Sequence, residues 1–160
     1  MSILLITIHP FASHNSKCRA NILRLGAGLS ASDHPRIRYV IDAIVSADVL
    51  VIGSPTYKGS YPGLFKHLID LIDPHELRAK PIIITATGGG DRHALMVEHQ
   101  LRPLFGFFMS HTLPTALYAS DRDFADYEVS SEPLSKRISE VVSELAAFFP
   151  VANPILAAAE

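Results

Sequence analysis

Three continuous apolar runs punctuate this chain: Ile3 to Ile8, Val49 to Gly53, and Pro81 to Ala86. Runs without polar alternation predict strands buried on both faces, as a parallel sheet requires. A fourth run, Leu113 to Ala119, predicts a strand with Pro114 near its start, because proline cannot donate to a ladder. Between the runs the spacing becomes helical. Ser16 to Leu25 reads as one helix. Ile37, Val40, Ile41 and Ile44 stripe a second over Pro35 to Ala47, whose proline suits a first turn. Leu64, Phe65, Leu68, Ile69 and Ile72 stripe a third. Leu95, Met96, Leu101, Leu104 and Phe105 make a less regular fourth, with a kink or break at Pro103. The last helix is the clearest, with Ser131 as cap, Pro133 in the first turn, and then Ile138, Val141, Val142, Leu145 and Phe149.

Strands that alternate with helices predict an α/β fold, a doubly wound parallel sheet with helices on both faces. Leu25 to His34 reads as loop, so no strand is expected between the first two helices. Strand Ile3–Ile8 then becomes an edge that is apolar on both faces and carries no charge. Such an edge predicts a cover: the Gly26–His34 segment, the C-terminal tail or another subunit. One domain is expected over 1–149, followed by a small, apolar tail over 150–160 that includes Pro150 and Pro154.

Composition narrows the classes. With 160 residues, 48% hydrophobic and 19% charged, the chain can bury a core and is not disordered. A net charge of −2 argues against a dedicated nucleic-acid binder. The lone cysteine, Cys18, excludes an internal disulfide and fits a reducing, cytoplasmic setting. Met1 to Ile8 lacks a basic n-region and a cleavage site, and no apolar run reaches the roughly 20 residues of a membrane span. Neither a signal peptide nor a membrane association is expected. Eight histidines raise the question of a metal, but no two stand four residues apart and one cysteine makes no thiolate site, so none is expected. No Gly-x-Ser-x-Gly elbow or Walker spacing occurs either.

The candidate chemistry sits in loops. Gly53 to Gly63 follows a buried strand and precedes a helix, which places it at the carboxyl end of the sheet, where open α/β folds bind ligands. Its little charge, two tyrosines and glycines suit a flat ring with polar edges. Thr87-Gly88-Gly89-Gly90 follows the next strand in the same way. Glycines there let backbone amides approach a ring without a Cβ in the way, or simply serve turn geometry. Two such loops at successive strand ends favour a site made of Pro55, Thr56, Tyr57, Lys58, Thr87, Gly88, Gly89 and Gly90. Ser13, Asn15, Ser16 and Lys17 lie at the mouth of the first helix, where hydroxyls and amides either hold a phosphate or cap the helix.

Through Ser54 to Tyr61, Thr87 to Leu95, His99 to Phe105, Tyr118 to Ser120 and Asp123 to Tyr127, the chain resembles the flavodoxin-like NAD(P)H-dependent FMN reductases. Within them it is most similar to the reductases serving alkanesulfonate and methanesulfonate monooxygenases. The likeness runs from about Leu25 to about Phe149. It implies a flavodoxin-like sheet whose second strand is missing, so that the remaining order is 1-3-4-5. It also implies FMN as cofactor, NADH or NADPH as reductant, and a flavin-dependent monooxygenase as recipient of reduced FMN. A homo-oligomer, dimer or tetramer, is implied as well. Ser16 matches a family serine at the phosphate, whereas His9, Pro10 and Phe11 depart from the family's small-residue turn. His99 stands where related reductases carry an inserted residue at a subunit contact, or is a solvent-facing helical histidine. The rival readings are a flavin-bound quinone or azo-dye reductase and a non-catalytic flavin-binding protein.

Overall fold

The computed structural model describes residues 2–7 and 35–149. Four strand segments stack in parallel beside β1 (Ile3–Thr7): β2 (Val49–Pro55), β3 (Pro81–Gly88), and then both β4 (His111–Thr112) and β5 (Leu117–Ser120) on β3. This is the doubly wound α/β architecture expected, with β1 outermost among the described residues. The first loop with Ser13, Asn15, Ser16 and Lys17, the helix expected over Ser16 to Leu25, the Leu25–His34 stretch and the 150–160 tail lie outside the described residues.

The apolar runs of β2 and β3 become strands because both of their faces are covered. On one face, α1 (Pro35–Ser46), α2 (Gly63–Ile69) and α3 (Arg102–Phe107) bury Ile37, Ile41, Ile44, Phe65, Leu68 and Phe105 against Leu50, Ile52, Ile82 and Ile84. On the other, α4 (Glu132–Ala146) packs Val141 and Leu145 on Val49, Ile83 and Leu113. Ser131 caps α4, its hydroxyl accepting from the Leu134 amide. Lys80 closes the far end of α1 by donating to the Val45 and Ala47 carbonyls, where the helix dipole favours a cation. The registers Ile3↔Val49 and Leu5↔Val51 put Ile3 and Leu5 on the α4 face. They are 53% and 62% exposed there.

Three local departures from the sequence pattern have identifiable causes. β2 and β3 each run two residues further than their apolar cores, because Ser54↔Ala86 and Pro55↔Thr87 continue the ladder into the loops. The strand expected over Leu113–Ala119 starts only at Leu117, and a separate two-residue strand, β4, precedes Pro114, which has no amide to give to a continuous ladder. Side chains take over at the break. Arg102 donates to the Leu113 and Pro114 carbonyls, and Glu144 accepts from the Thr115 amide. The irregular fourth helix is a single 3₁₀ turn (Asp91–His93), a π-helical segment (Val97–Leu101) and α3. Pro103 cannot donate to the preceding turn, and the Arg102 amide reaches back five residues to the Val97 carbonyl.

Candidate functional site

The two loops singled out in the sequence meet at one end of the sheet. Because β2 and β3 are parallel and register Pro55 opposite Thr87, both loops leave on the same side. The Thr56 amide donates to the Thr87 carbonyl at 2.7 Å and locks them together. Pro55, Thr56, Tyr57, Lys58, Thr87, Gly88, Gly89 and Gly90 are therefore neighbours in space as well as in motif.

The β2 loop has a built shape. Tyr57 and Ser60 exchange backbone hydrogen bonds of 2.8 and 3.0 Å around a two-residue turn. Its tip, Lys58 and Gly59, has φ of 53° and 83°. Glycine adopts that left-handed region freely, whereas a lysine does so at about 1–2 kcal/mol. The turn is held from outside: the Ser60 hydroxyl donates to Gln100 Oε1 of the π-helical segment at 3.1 Å. Tyr57 and Lys58 project from it into solvent.

The β3 loop offers donors. A side chain at Gly90 would meet nothing within 4 Å, and one at Gly89 only the Asp121 carboxylate at 3.9 Å. The Gly89 and Gly90 amides have no acceptor among the described residues. Gly88 differs, since a Cβ there would run into the Tyr118 hydroxyl. Asp91, at the start of the 3₁₀ turn, pairs with Arg122. Asp123 accepts from the Ser120 amide and hydroxyl at 2.7 and 2.9 Å, and these bonds hold its carboxyl below the usual range. Burial, with Asp121 and Asp123 nearby, pushes the Tyr118 hydroxyl above its ordinary value. It stays a donor at neutral pH.

These features fit a flavin. The free amides of two glycines with open space beside them can donate to the carbonyls of a flat ring, and the Thr56 hydroxyl is buried without a partner at the same place. No cluster of three metal-ligating side chains occurs among the described residues, and no described helix is long and apolar enough to cross a membrane. Sequence reasoning missed Gln100 and Tyr118. Both lie in stretches that carry the family resemblance, and an irregular stripe around His99 was the other signal for Gln100, but neither residue's role can be read from its position in the sequence. His99 is exposed at the centre of the π-helical segment.

The family model for NADPH-dependent FMN reductases matches residues 9–125. The NADH-dependent FMN reductase SfnF of Pseudomonas fluorescens is 48% identical over 141 residues, covering 88% of this chain and 75% of that protein. An FMN reductase (NADPH) of Pseudomonas aeruginosa is 51% identical over 126 residues, covering 78% and 68%. Among solved structures, an oxidoreductase from Corynebacterium diphtheriae superposes with a TM-score of 0.70 at 27% identity, covering 92% of this chain and 96% of that one. A flavodoxin-type, WrbA-like protein from Agrobacterium tumefaciens gives 0.59 at 16% identity over 92% and 98%, a likeness of fold alone. The sheet is thus flavodoxin-like.

Proposed function

Because the chain belongs to the NADPH-dependent FMN reductase family, we propose that it passes a hydride from reduced nicotinamide to FMN held at the ends of β2 and β3. The Pro55–Thr87 register pair carries this reading, since it sets two loops with usable donors side by side. When bound, FMN supplies the hydride acceptor, the N5 position of its ring. Pro55, Thr56, Tyr57 and Lys58 would line one part of the ring, and Thr87, Gly88, Gly89 and Gly90 another. Free amides among them oppose the negative charge that the reduced ring gathers. Ser13, Asn15, Ser16 and Lys17 would hold the phosphate. Tyr57 and Thr87 are exposed, so the site stays open to the nicotinamide. Alignment is the chain's contribution, and no acid or base side chain is required.

Relatives named for NADH and for NADPH support either reductant. The similarity to SfnF supports a flavin-dependent monooxygenase as consumer of the reduced FMN. We place the work in the cytoplasm, in one domain over 1–149 with a 150–160 tail. Exposed Leu95, Phe107 and Met109 along the fourth helical stretch support a homo-oligomer, dimer or tetramer.

Oxidation of NADH and NADPH, with and without added FMN, tests the assignment. The expected result is oxidation that saturates with FMN. Protein that binds FMN yet oxidises neither coenzyme would be a non-catalytic flavin binder. Retained FMN, with ping-pong turnover of a quinone or azo dye, would make it a reductase of that second substrate.

A further inference from the structure

We infer that Tyr118 is a positioning residue of the ring-binding loop: its hydroxyl occupies the space left by the missing side chain of Gly88 and anchors the Gly90 carbonyl. The inference rests on the flavin reading and adds a residue that touches no substrate.

Consecutive glycines at 88, 89 and 90 carry no side chain by which the loop can be held. Three such residues would sample many backbone states, and their amides would point nowhere in particular. Besides the pairing of Gly88 with Ser120 at the end of β3, two bonds restrict them. At the leading end, the Thr87 carbonyl accepts from the Thr56 amide at 2.7 Å. At the trailing end, the Gly90 carbonyl accepts from the Tyr118 hydroxyl at 2.6 Å. Gly89 and Gly90 lie between the anchors, so their free amides are aimed before any ligand arrives. Less ordering then remains to be done on binding.

The strand register explains how a side chain from β5 reaches this point. Tyr118 stands beside Ala86, and Ser120 beside Gly88. Side chains of parallel neighbours on one face lie in a row, and a long one leans along its strand. Ala86 and Gly88 are both small on that face, and the tyrosine ring runs over them towards Gly90. A Cβ on Gly88 would collide with the hydroxyl and lie 3.3 Å from Cζ of the ring and 3.4 Å from Thr56 Cβ. The glycine at 88 is therefore demanded by the tyrosine, not by the ligand. Tyr118 packs against the core and also lines, with Leu95, Leu134 and Arg137, a cavity of about 400 Å³. The hydroxyl bond ties the tip of its ring to Gly90.

The test is a double-mutant cycle read by flavin titration. Tyr118→Phe keeps the ring and should weaken FMN and riboflavin binding alike, roughly 3–10-fold, the worth of one neutral hydrogen bond. The ratio of the two affinities should hold, because the loop faces the ring and not the phosphate. The bound flavin's visible spectrum should shift, while the far-UV spectrum and melting temperature of the free protein stay close to the parent's. Gly88→Ala should weaken binding strongly in the parent and distinctly less in the Tyr118→Phe background, where the nearest atom becomes Cζ. Strict additivity, or an unchanged flavin affinity in Tyr118→Phe, overturns the proposal and leaves the flavin site standing. A parent that binds no flavin overturns both.

Discussion

The Ser60 hydroxyl donates to the side-chain oxygen of Gln100, 40 residues away, and so ties the tight turn of the β2 loop to the π-helical segment. The extra residue of a π segment rotates the next helical turn relative to an unbroken helix, and π segments recur at functional sites. Here the consequence is a single hydrogen bond that steadies a turn whose tip, Lys58, is held in the left-handed region. Gln100→Ala should relax that turn. The expected outcome is FMN binding weakened by up to about 10-fold, the upper end for one neutral bond, with little change in melting temperature. Fluorescence titration of FMN against the variant checks it, and an unaltered dissociation constant would detach the π segment from the site.

The phosphate end makes a separate prediction. If Ser16 and the amides beside it hold a dianion, FMN should bind far more tightly than riboflavin. Ser16→Ala should narrow that gap by about 1.5–3 kcal/mol, the range for a hydrogen bond to a charged group. Calorimetric titration of both ligands provides the measurement. Equal affinities in the parent would mean that the His9-Pro10-Phe11 departure has cost the loop its phosphate.

Much of this site could be read in the sequence, and the parts that could not rest on contacts between elements far apart in the chain. Val49–Gly53 and Pro81–Ala86 read as strands because continuous apolar runs fit few other structures, and the loops after them followed. Neither the π segment nor Tyr118 has a periodic signature. Val97–Leu101 appears in sequence only as a stripe that loses its spacing, and it becomes intelligible once Pro103 is seen to lack the amide for an ordinary turn. Tyr118 reads as an ordinary strand residue until the Ala86↔Tyr118 pairing puts it in line with Gly88. Gly88 itself was legible as a required glycine, but its reason lies in a tyrosine 30 residues on. Pattern reveals local geometry, whereas the contacts of Gln100 and Tyr118 depend on which elements the fold brings together, across 40 residues for one and across a strand register for the other.

Acid should unfold the chain partly through Glu98. Its hydrogen bonds to Arg102, at 2.5 and 2.8 Å, hold its carboxyl below the usual value. The same arginine supports the break at Pro114. For a depressed carboxyl, the stabilisation is full above the unfolded value of about 4.3 and disappears as pH falls through the lower folded value. Glu144, lowered by its bonds to Thr115, works in the same direction. Urea midpoints at pH 7 and from pH 5 down to pH 3 should therefore decline for the parent. Glu98→Gln should begin lower and decline less steeply. A parallel decline would show that the pair does not contribute.

The outer strand gives the last prediction. Ile3 and Leu5 lie on the α4 face of the sheet, in register with Val49 and Val51, yet both are largely exposed among the described residues. Val49, one strand inward on the same face, is fully buried. Two large apolar side chains on a strand that is outermost among the described residues invite pairing, and β1 offers no charge or proline to prevent it. We therefore expect this face to be covered in solution, by residues beyond β1 in the same chain or by another copy. Leu5→Lys puts a cation where the cover would sit. Against the roughly 1.5–3 kcal/mol gained by burying a leucine, it should lower the urea midpoint markedly. Light scattering then separates the two covers. A fall in mass assigns the cover to a second copy, and an unchanged mass with lost stability assigns it to the chain itself. If neither stability nor mass responds, the edge is bare and the expectation of a cover fails.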